Sequence, residues 1–277
     1  MNRIFATLNL ITFVLLGIGV LNISKSVDFE GTIYSLNWFL RDRISQVSNR
    51  DIVLPQTIEG SEKRIAQASE SVVPVLIYQE VPIYQNSNYH FFDALTTRIQ
   101  VGSGTGFFIT SDGYLLTNKH VVDENGMEYW VNVVGNVELP AEVVYTDPVY
   151  DLAVLKISGE DYPILNLGDS GRLRMGESVS TIGNAYGEFV DSISSGSISA
   201  VNRSAIVSDR NGDVERMRGL IQTTAKLYPG DSGGPLLNAE GQVIGVNVAS
   251  AIGEDISFSI PVNTAKDVLD KAGIPEI

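Results

Sequence analysis

One hexapeptide, Gly230-Asp231-Ser232-Gly233-Gly234-Pro235, carries the residue types of an acyl-transfer nucleophile. Glycine reaches backbone angles closed to other residues, so two main-chain N–H groups can point into one small volume beside the Ser232 hydroxyl. Donors placed where negative charge develops are usually the largest single contribution to this chemistry. A glycine-rich turn of a β protein with an incidental serine has the same composition. The two are separated by whether the chain also supplies a base and a group to orient it.

It supplies both. The chain has two histidines, His90 and His120. His90 lies in a polar stretch without a second ligand-type residue near it and reads as a loop residue. His120 ends the apolar run Leu115-Leu116-Thr117-Asn118-Lys119-His120, which reads as a strand. Downstream, Tyr150-Asp151-Leu152-Ala153-Val154-Leu155-Lys156-Ile157 puts a lone carboxylate at the mouth of a buried strand. The candidate catalytic residues are therefore His120, Asp151 and Ser232, in that order. Chymotrypsin-type double barrels carry their triad in this order, whereas subtilisins and α/β-hydrolases do not. Gly230-x-Ser232-x-Gly234 also matches the nucleophile elbow of α/β-hydrolases. That fold needs its histidine after the serine, and none follows Ser232.

The elements that must position these residues are short β-rich runs separated by turns. Residues 72–78 read as the first strand, with Pro74 marking it as an edge. Residues 79–100 form a connection too long for a tight hairpin, of the length compact domains reserve for function. Residues 101–109 alternate glycine with other residues and run straight into a strand, whereas a phosphate loop would run into a helix. Gly104 and Gly106 there are expected to admit another backbone at close range. Residues 110–113 give a hairpin signal, and strand runs follow near 114–117, 130–134, 141–145, 152–157, 179–183, 192–201, 220–223, 243–248 and 258–261. A helix is expected over 263–272, capped by Asn263 or Thr264, and one or two helical turns over 59–71. Many short strands with regular turns argue for barrels or a sandwich. Split near 163–176, each half would make one barrel.

Composition narrows the classes. A chain of 277 residues holds one large domain or two small ones. Its formal net charge of −14 argues against nucleic acid as a partner, since phosphate binding needs a basic face. There is no cysteine, hence no disulfide and no thiolate metal site. Any barrels must be held by packing alone, and serine-triad chemistry needs neither metal nor organic cofactor.

Residues 1–24 read as a membrane anchor. Arg3 precedes a mostly apolar run to Ile23, and about 20 residues at about 1.5 Å rise cover a hydrocarbon core of about 30 Å. The alternative is a cleaved signal with secretion, which wants a small-x-small site after a shorter apolar region. Gly17-Ile18-Gly19 has small residues but lies inside the run. Arg3 would stay in the cytoplasm, with the bulk exported. Residues 25–58 read as a linker in which Ile33, Leu36, Leu40 and Ile44 have the spacing of an amphipathic helix. Residues 59–277 hold the remaining domain.

Three segments then identify a family. Thr117-Asn118-Lys119-His120-Val121-Val122, Tyr150-Asp151-Leu152-Ala153-Val154-Leu155-Lys156 and Pro229-Gly230-Asp231-Ser232-Gly233-Gly234-Pro235-Leu236 resemble the catalytic blocks of the HtrA (DegP/DegS-like) trypsin-like serine proteases. Gly102-Ser103-Gly104-Thr105-Gly106-Phe107 and Ile221-Gln222-Thr223 resemble two further blocks, and the likeness covers about residues 59–272. The resemblance implies an all-β fold, a chymotrypsin-like double six-stranded β-barrel with a short N-terminal and a C-terminal helix. It implies a serine endopeptidase: Ser232 attacks a peptide carbonyl, His120 moves the proton and Asp151 orients the imidazole. The oxyanion hole would lie in Gly230, Asp231 and Ser232, with the N–H groups of Gly230 and Ser232 as donors. Leu227 and the segment Asn247, Val248, Ala249, Ser250 would bind substrate. Misfolded or exported polypeptides on the periplasmic side of the cell envelope would be the substrates, and a homotrimer the assembly.

Three departures from the family stand out. HtrA proteins usually carry a PDZ domain after the protease, and the sequence stops at Ile277, so a form without that domain is expected. Asp231 stands where asparagine is typical, leaving it either paired with a neighbour such as Lys226 or solvated. Thr224 stands where aspartate is usual. Leu227 suggests a small or medium apolar P1 residue, whereas Lys226 would admit an acidic one. Two other readings stay open: a binding or chaperone module on a protease fold, and a protease resting inactive with the Gly230–Ser232 loop turned away.

Overall fold

The computed structural model describes residues 56–82, 96–185, 189–208, 214–250 and 256–274, all within one unit, Pro55–Ile277. The expected anchor, most of the expected linker and His90 lie outside the described residues. Among the described residues no helix is long and apolar enough to cross a membrane.

Twelve strands close into two antiparallel barrels. The first contains β1 (Val72–Pro82), β2 (Thr96–Phe108), β3 (Tyr114–Thr117), β4 (Met127–Val133), β5 (Val137–Thr146) and β6 (Ala153–Lys156), in the order β1-β2-β3-β6-β5-β4. The second contains β7 (Ser178–Ala185), β8 (Phe189–Ser208), β9 (Val214–Thr223), β10 (Pro235–Leu237), β11 (Val243–Ser250) and β12 (Ser257–Pro261), in the order β10-β11-β12-β9-β8-β7. Each barrel closes on itself, while the β1–β2 and β8–β9 pairs run on past the closed part as two-stranded ribbons. Helices α1 (Gln56–Ala68), α2 (Lys119–Val122) and α3 (Val262–Lys271) and two 3-10 turns (Ser69–Ser71 and Ser170–Arg172) complete the described elements. This is the chymotrypsin-like double barrel with its two flanking helices.

Strand periodicity builds two kinds of core. Successive side chains on β2 point to opposite faces, so Phe108 enters the first barrel with Val75, Ile77, Leu115, Val131 and Leu155. Its neighbour Phe107 points the other way. It joins Leu116, Leu152 and Val154 of the first barrel with Ile182, Val246 and Ile260 of the second, and with α1 and α3. This shared layer welds the barrels, and the chemistry-bearing segments emerge from it.

Several local expectations change. Residues 79–82 and 96–100 are not loop: β1 and β2 continue in register from Gln79↔Ile99 to Pro82↔Thr96. There Arg98 lies over the rings of Tyr78 and Trp130, 4.1 and 3.9 Å from their centres. Pro74 is an edge residue only locally, because β1 pairs with β4 from Val75 onward. The approach at Gly104 is by the Val121 side chain rather than by backbone. Neither Asn263 nor Thr264 caps α3, since Pro261 occupies the N-cap. Asn263 sits in the first turn, donates its N–H to Ser170 Oγ at 3.0 Å and accepts from Ser170 N–H at 3.1 Å.

Candidate active site

His120 and Asp151, the expected base and its orienting acid, come from the same end of the first barrel, where Thr117 of β3 pairs with Ala153 of β6. After β3 ends at Thr117, Asn118 stays extended and the chain turns into α2, so His120 stands on one helical turn and not at a strand end. Asp151 binds it twice. The His120 Nδ1 to Asp151 Oδ2 distance is 2.6 Å, and the His120 main-chain N–H donates to Asp151 Oδ1 at 2.8 Å. Asn118 Nδ2 holds the Asp151 carbonyl at 2.8 Å. A carboxylate on Nδ1 fixes the tautomer that leaves Nε2 free to accept a proton.

Asp151 is itself presented by a closed turn. Asp147 N–H donates to Leu152 O at 3.0 Å, and Asp147 Oδ1 accepts the N–H groups of Val149 and Tyr150 at 2.8 and 2.9 Å. Oδ2 takes Lys271 Nζ of α3 at 3.1 Å. Burial pushes the Asp147 carboxyl up, but the Tyr150 and Val149 N–H groups and Lys271 outweigh it and hold the group below the usual carboxylate range.

The nucleophile loop is shaped by Gly230 at φ 101° and Gly233 at φ 88°, values in the left-handed region. Any side chain at Gly233 would collide with the Thr105 carbonyl and the Thr117 hydroxyl, and would come within 3.0 Å of Asn118 N. The loop is thus seated against the segment that leads into His120. Three of its N–H groups are spent inside the chain: Asp231 on Tyr228 O, Gly233 on Asn247 O and Gly234 on Asp231 O, at 2.9, 2.9 and 3.0 Å. Among the described residues the N–H groups of Gly230 and Ser232 make no hydrogen bond. Of the three residues expected at the oxyanion hole, Asp231 is the one whose N–H is occupied, in keeping with Gly230 and Ser232 as the expected donors. Ser232 Oγ donates to Val248 O at 2.9 Å, which directs the hydroxyl proton away from the imidazole.

Asp231 meets neither expected fate. It is 4% exposed, so it is not solvated, and its Oδ2 accepts the Tyr228 N–H at 2.7 Å rather than a lysine ammonium. Its Oδ1 has no hydrogen-bond partner and abuts Gly183 of β7, where any side chain would strike it. Burial pushes the carboxyl up to about 6.

The expected substrate-binding positions divide. Leu227 and Val248 are buried beside the loop, at 8% and 5% exposure. The Asn247 side chain is an internal brace: fully buried, it donates from Nδ2 to Pro235 O at 3.1 Å and accepts from Ser259 Oγ at 3.0 Å. Ala249 and Ser250 continue β11, with side chains outside the described residues. Thr224 exchanges hydrogen bonds with Ser197, its N–H donating and its hydroxyl accepting, each at 3.0 Å. Among the described residues no three His, Asp or Glu side chains gather as metal ligands. Sequence reasoning missed Thr105, Asn118 and Asp147. The first two lie inside the quoted blocks, and Asp147 precedes Asp151 by one turn.

Known proteins match this arrangement. Residues 104–246 match the trypsin-like peptidase domain family. A DegP-like periplasmic serine endoprotease of Hahella chejuensis is 40% identical over 173 residues, which is 61% of this chain and 35% of that protein. The serine protease HhoB of Synechocystis sp. is 41% identical over 170 residues, 61% of this chain and 40% of its own. The match thus spans between a third and two fifths of these relatives. The structure of the HtrA-type protease AlgW with a decapeptide superimposes with a TM-score of 0.62 at 29% identity, covering 76% of this chain and 67% of the other. With its double barrel, its His120–Asp151 pair and this kinship, the chain belongs to the trypsin-like peptidase family and is similar, within it, to HtrA (DegP-like) proteases.

Proposed function

We propose that the chain is a serine endopeptidase acting on misfolded or exported polypeptides on the periplasmic side of the cell envelope. The observation that carries this is the doubly bound His120–Asp151 pair next to a seated serine loop with two unspent N–H groups. Ser232 Oγ attacks the peptide carbonyl and His120 Nε2 takes its proton, later returning it to the leaving amine. Asp151 holds the imidazole and stabilises its cation. The N–H groups of Gly230 and Ser232 receive the oxyanion. Leu227 and Val248 bound an apolar P1 site. The DegP-like relatives supply the compartment, and the peptide-bound AlgW structure supports a polypeptide substrate. An N-terminal anchor and a trimer are part of the proposal, the first resting on the apolar run of residues 1–24 and the second on the family resemblance.

A resting state is a second reading, favoured by the Ser232–Val248 hydrogen bond. Attack then requires the hydroxyl to turn from Val248 O to the imidazole, a side-chain rotation that a bound substrate could induce. The test is cleavage of casein by the full chain, wild type beside Ser232→Ala, with a fluorophosphonate label. Cleavage and labelling confined to wild type are expected. Labelling without cleavage would mean a competent triad and an unsuitable substrate, and neither would sink the active-peptidase reading in favour of the resting state or a binding module.

A further inference from the structure

Every polar atom of Thr105 is engaged at the junction of the two barrels, and half of those bonds go to the nucleophile loop. Its N–H donates to Ser232 O at 2.9 Å and its hydroxyl donates to Gly230 O at 2.6 Å. The same hydroxyl accepts the N–H of Asn184 on β7 at 2.9 Å, and the Thr105 carbonyl accepts the Thr117 hydroxyl at 2.7 Å. The residue is completely buried. A hydroxyl can donate to a carbonyl and accept an amide N–H at once, and no hydrocarbon side chain of this size can do either.

The Gly230–Asp231 peptide is consequently gripped from both sides, by Thr105 on its C=O and by Tyr228 O on its N–H. Gly230, at φ 101°, is the residue about which this loop turns most cheaply. Its N–H belongs to the preceding peptide plane, so pinning the Gly230 carbonyl fixes one of the two planes that meet at Gly230 Cα and leaves that N–H only the Gly230 hinge to turn about.

We propose that Thr105 is the positioning residue of the oxyanion hole: its hydroxyl pins the Gly230 carbonyl and thereby aims the unspent N–H groups of Gly230 and Ser232 at the reacting carbonyl. This rests on the peptidase reading above. Thr105 touches no substrate. It acts through Gly230, from the opposite barrel, so the oxyanion hole is set by the docking of the two barrels and not by the loop alone.

The experiment uses the full chain, a chromogenic peptide and a peptidyl boronic acid. The boron of that acid takes up the Ser232 oxygen and becomes a tetrahedral anion, reporting on the oxyanion hole independently of enzyme concentration. Thr105→Val and Thr105→Ala both remove the hydroxyl, the second without setting a methyl against Gly230 O, so one serves if the other does not fold. The expected result is a kcat lowered ~10–100-fold, KM within about twofold, and a boronate Ki raised by the same factor as kcat falls. Thr105→Ser is expected to restore both. A residue that merely joined the barrels would lower the melting temperature and leave Ki unchanged, and that result overturns the proposal, as does failure of serine to rescue. An active wild type with an unchanged boronate Ki in the variants sinks this inference alone. A wild type that neither turns over peptide nor takes a fluorophosphonate sinks the peptidase reading and this one with it.

Discussion

At the scale of single residues the most consequential departure is Asp231. Its neighbourhood was not legible in the sequence, because burial under β7 depends on Gly183, 48 positions away along the chain. A carboxyl raised from 3.8 to about 6 by burial binds its proton more tightly folded than unfolded. Its contribution is therefore complete below pH ~3.8 and declines as pH rises to about 6, remaining lost above. At about 1.4 kcal/mol per pKa unit, the ionised group costs at most about 3 kcal/mol at neutral pH. Asp231→Asn should thus be more stable than wild type at pH 7, with the advantage shrinking toward pH 4. Other carboxyls, such as Asp147, push the opposite way, so the informative quantity is the difference in melting temperature between variant and wild type. A difference that does not grow between pH 4 and pH 7 refutes the account. His120, Asp151 and Ser232, by contrast, could be picked out early because each sits inside a local block whose residue types are dictated by chemistry.

At the scale of elements, strands that alternate buried and exposed residues were readable, as in β4, where Tyr129 and Val131 point inward. The paired extensions of β1 and β2 were not, because Gln79, Glu80, Thr97 and Arg98 are exposed and carry no apolar period. Helix α2 is too short for any period to register, which is why His120 read as a strand end. The seat of the nucleophile loop was equally hidden: Gly233 looked like a turn glycine, yet its environment is β2 and β3. Gly233→Ala combines strain at φ 88° with a collision against the Thr105 carbonyl and Thr117 hydroxyl. Gly219→Ala on β9 has similar strain at φ 75° but meets no atom within 4 Å. The second should cost about 1 kcal/mol. The first should cost above about 3 kcal/mol and abolish fluorophosphonate labelling. Equal urea midpoints for the two variants would refute the seating of this loop against the first barrel.

At the scale of the whole molecule, the turn that presents Asp151 is held by helix α3. Helix α3 buries Val262, Ala265, Val268 and Leu269 in the layer shared by both barrels. That packing carries Lys271 to Asp147, whose carboxylate organises the turn that presents Asp151. The partners lie 124 residues apart, beyond the reach of any local pattern. The Asp147 side chain is fully buried while that of Lys271 is half exposed, so the bond is worth about 1–2 kcal/mol, between a surface pair and a buried charged hydrogen bond. Lys271→Met should lower stability by that amount at pH 7, and Lys271→Arg by less. The folded Asp147 carboxyl lies below its ordinary value, so this stability is present above about pH 3.8 and is lost as pH falls through the folded value. Urea unfolding at pH 7 and pH 3 checks the sign. The gap between Lys271→Met and wild type should narrow from pH 7 to pH 3, as the pH falls toward the lowered folded value of the carboxyl. A gap of the same size at both pH values would mean that the lysine contributes through its hydrocarbon stem alone, and that α3 does not hold the Asp151 turn electrostatically.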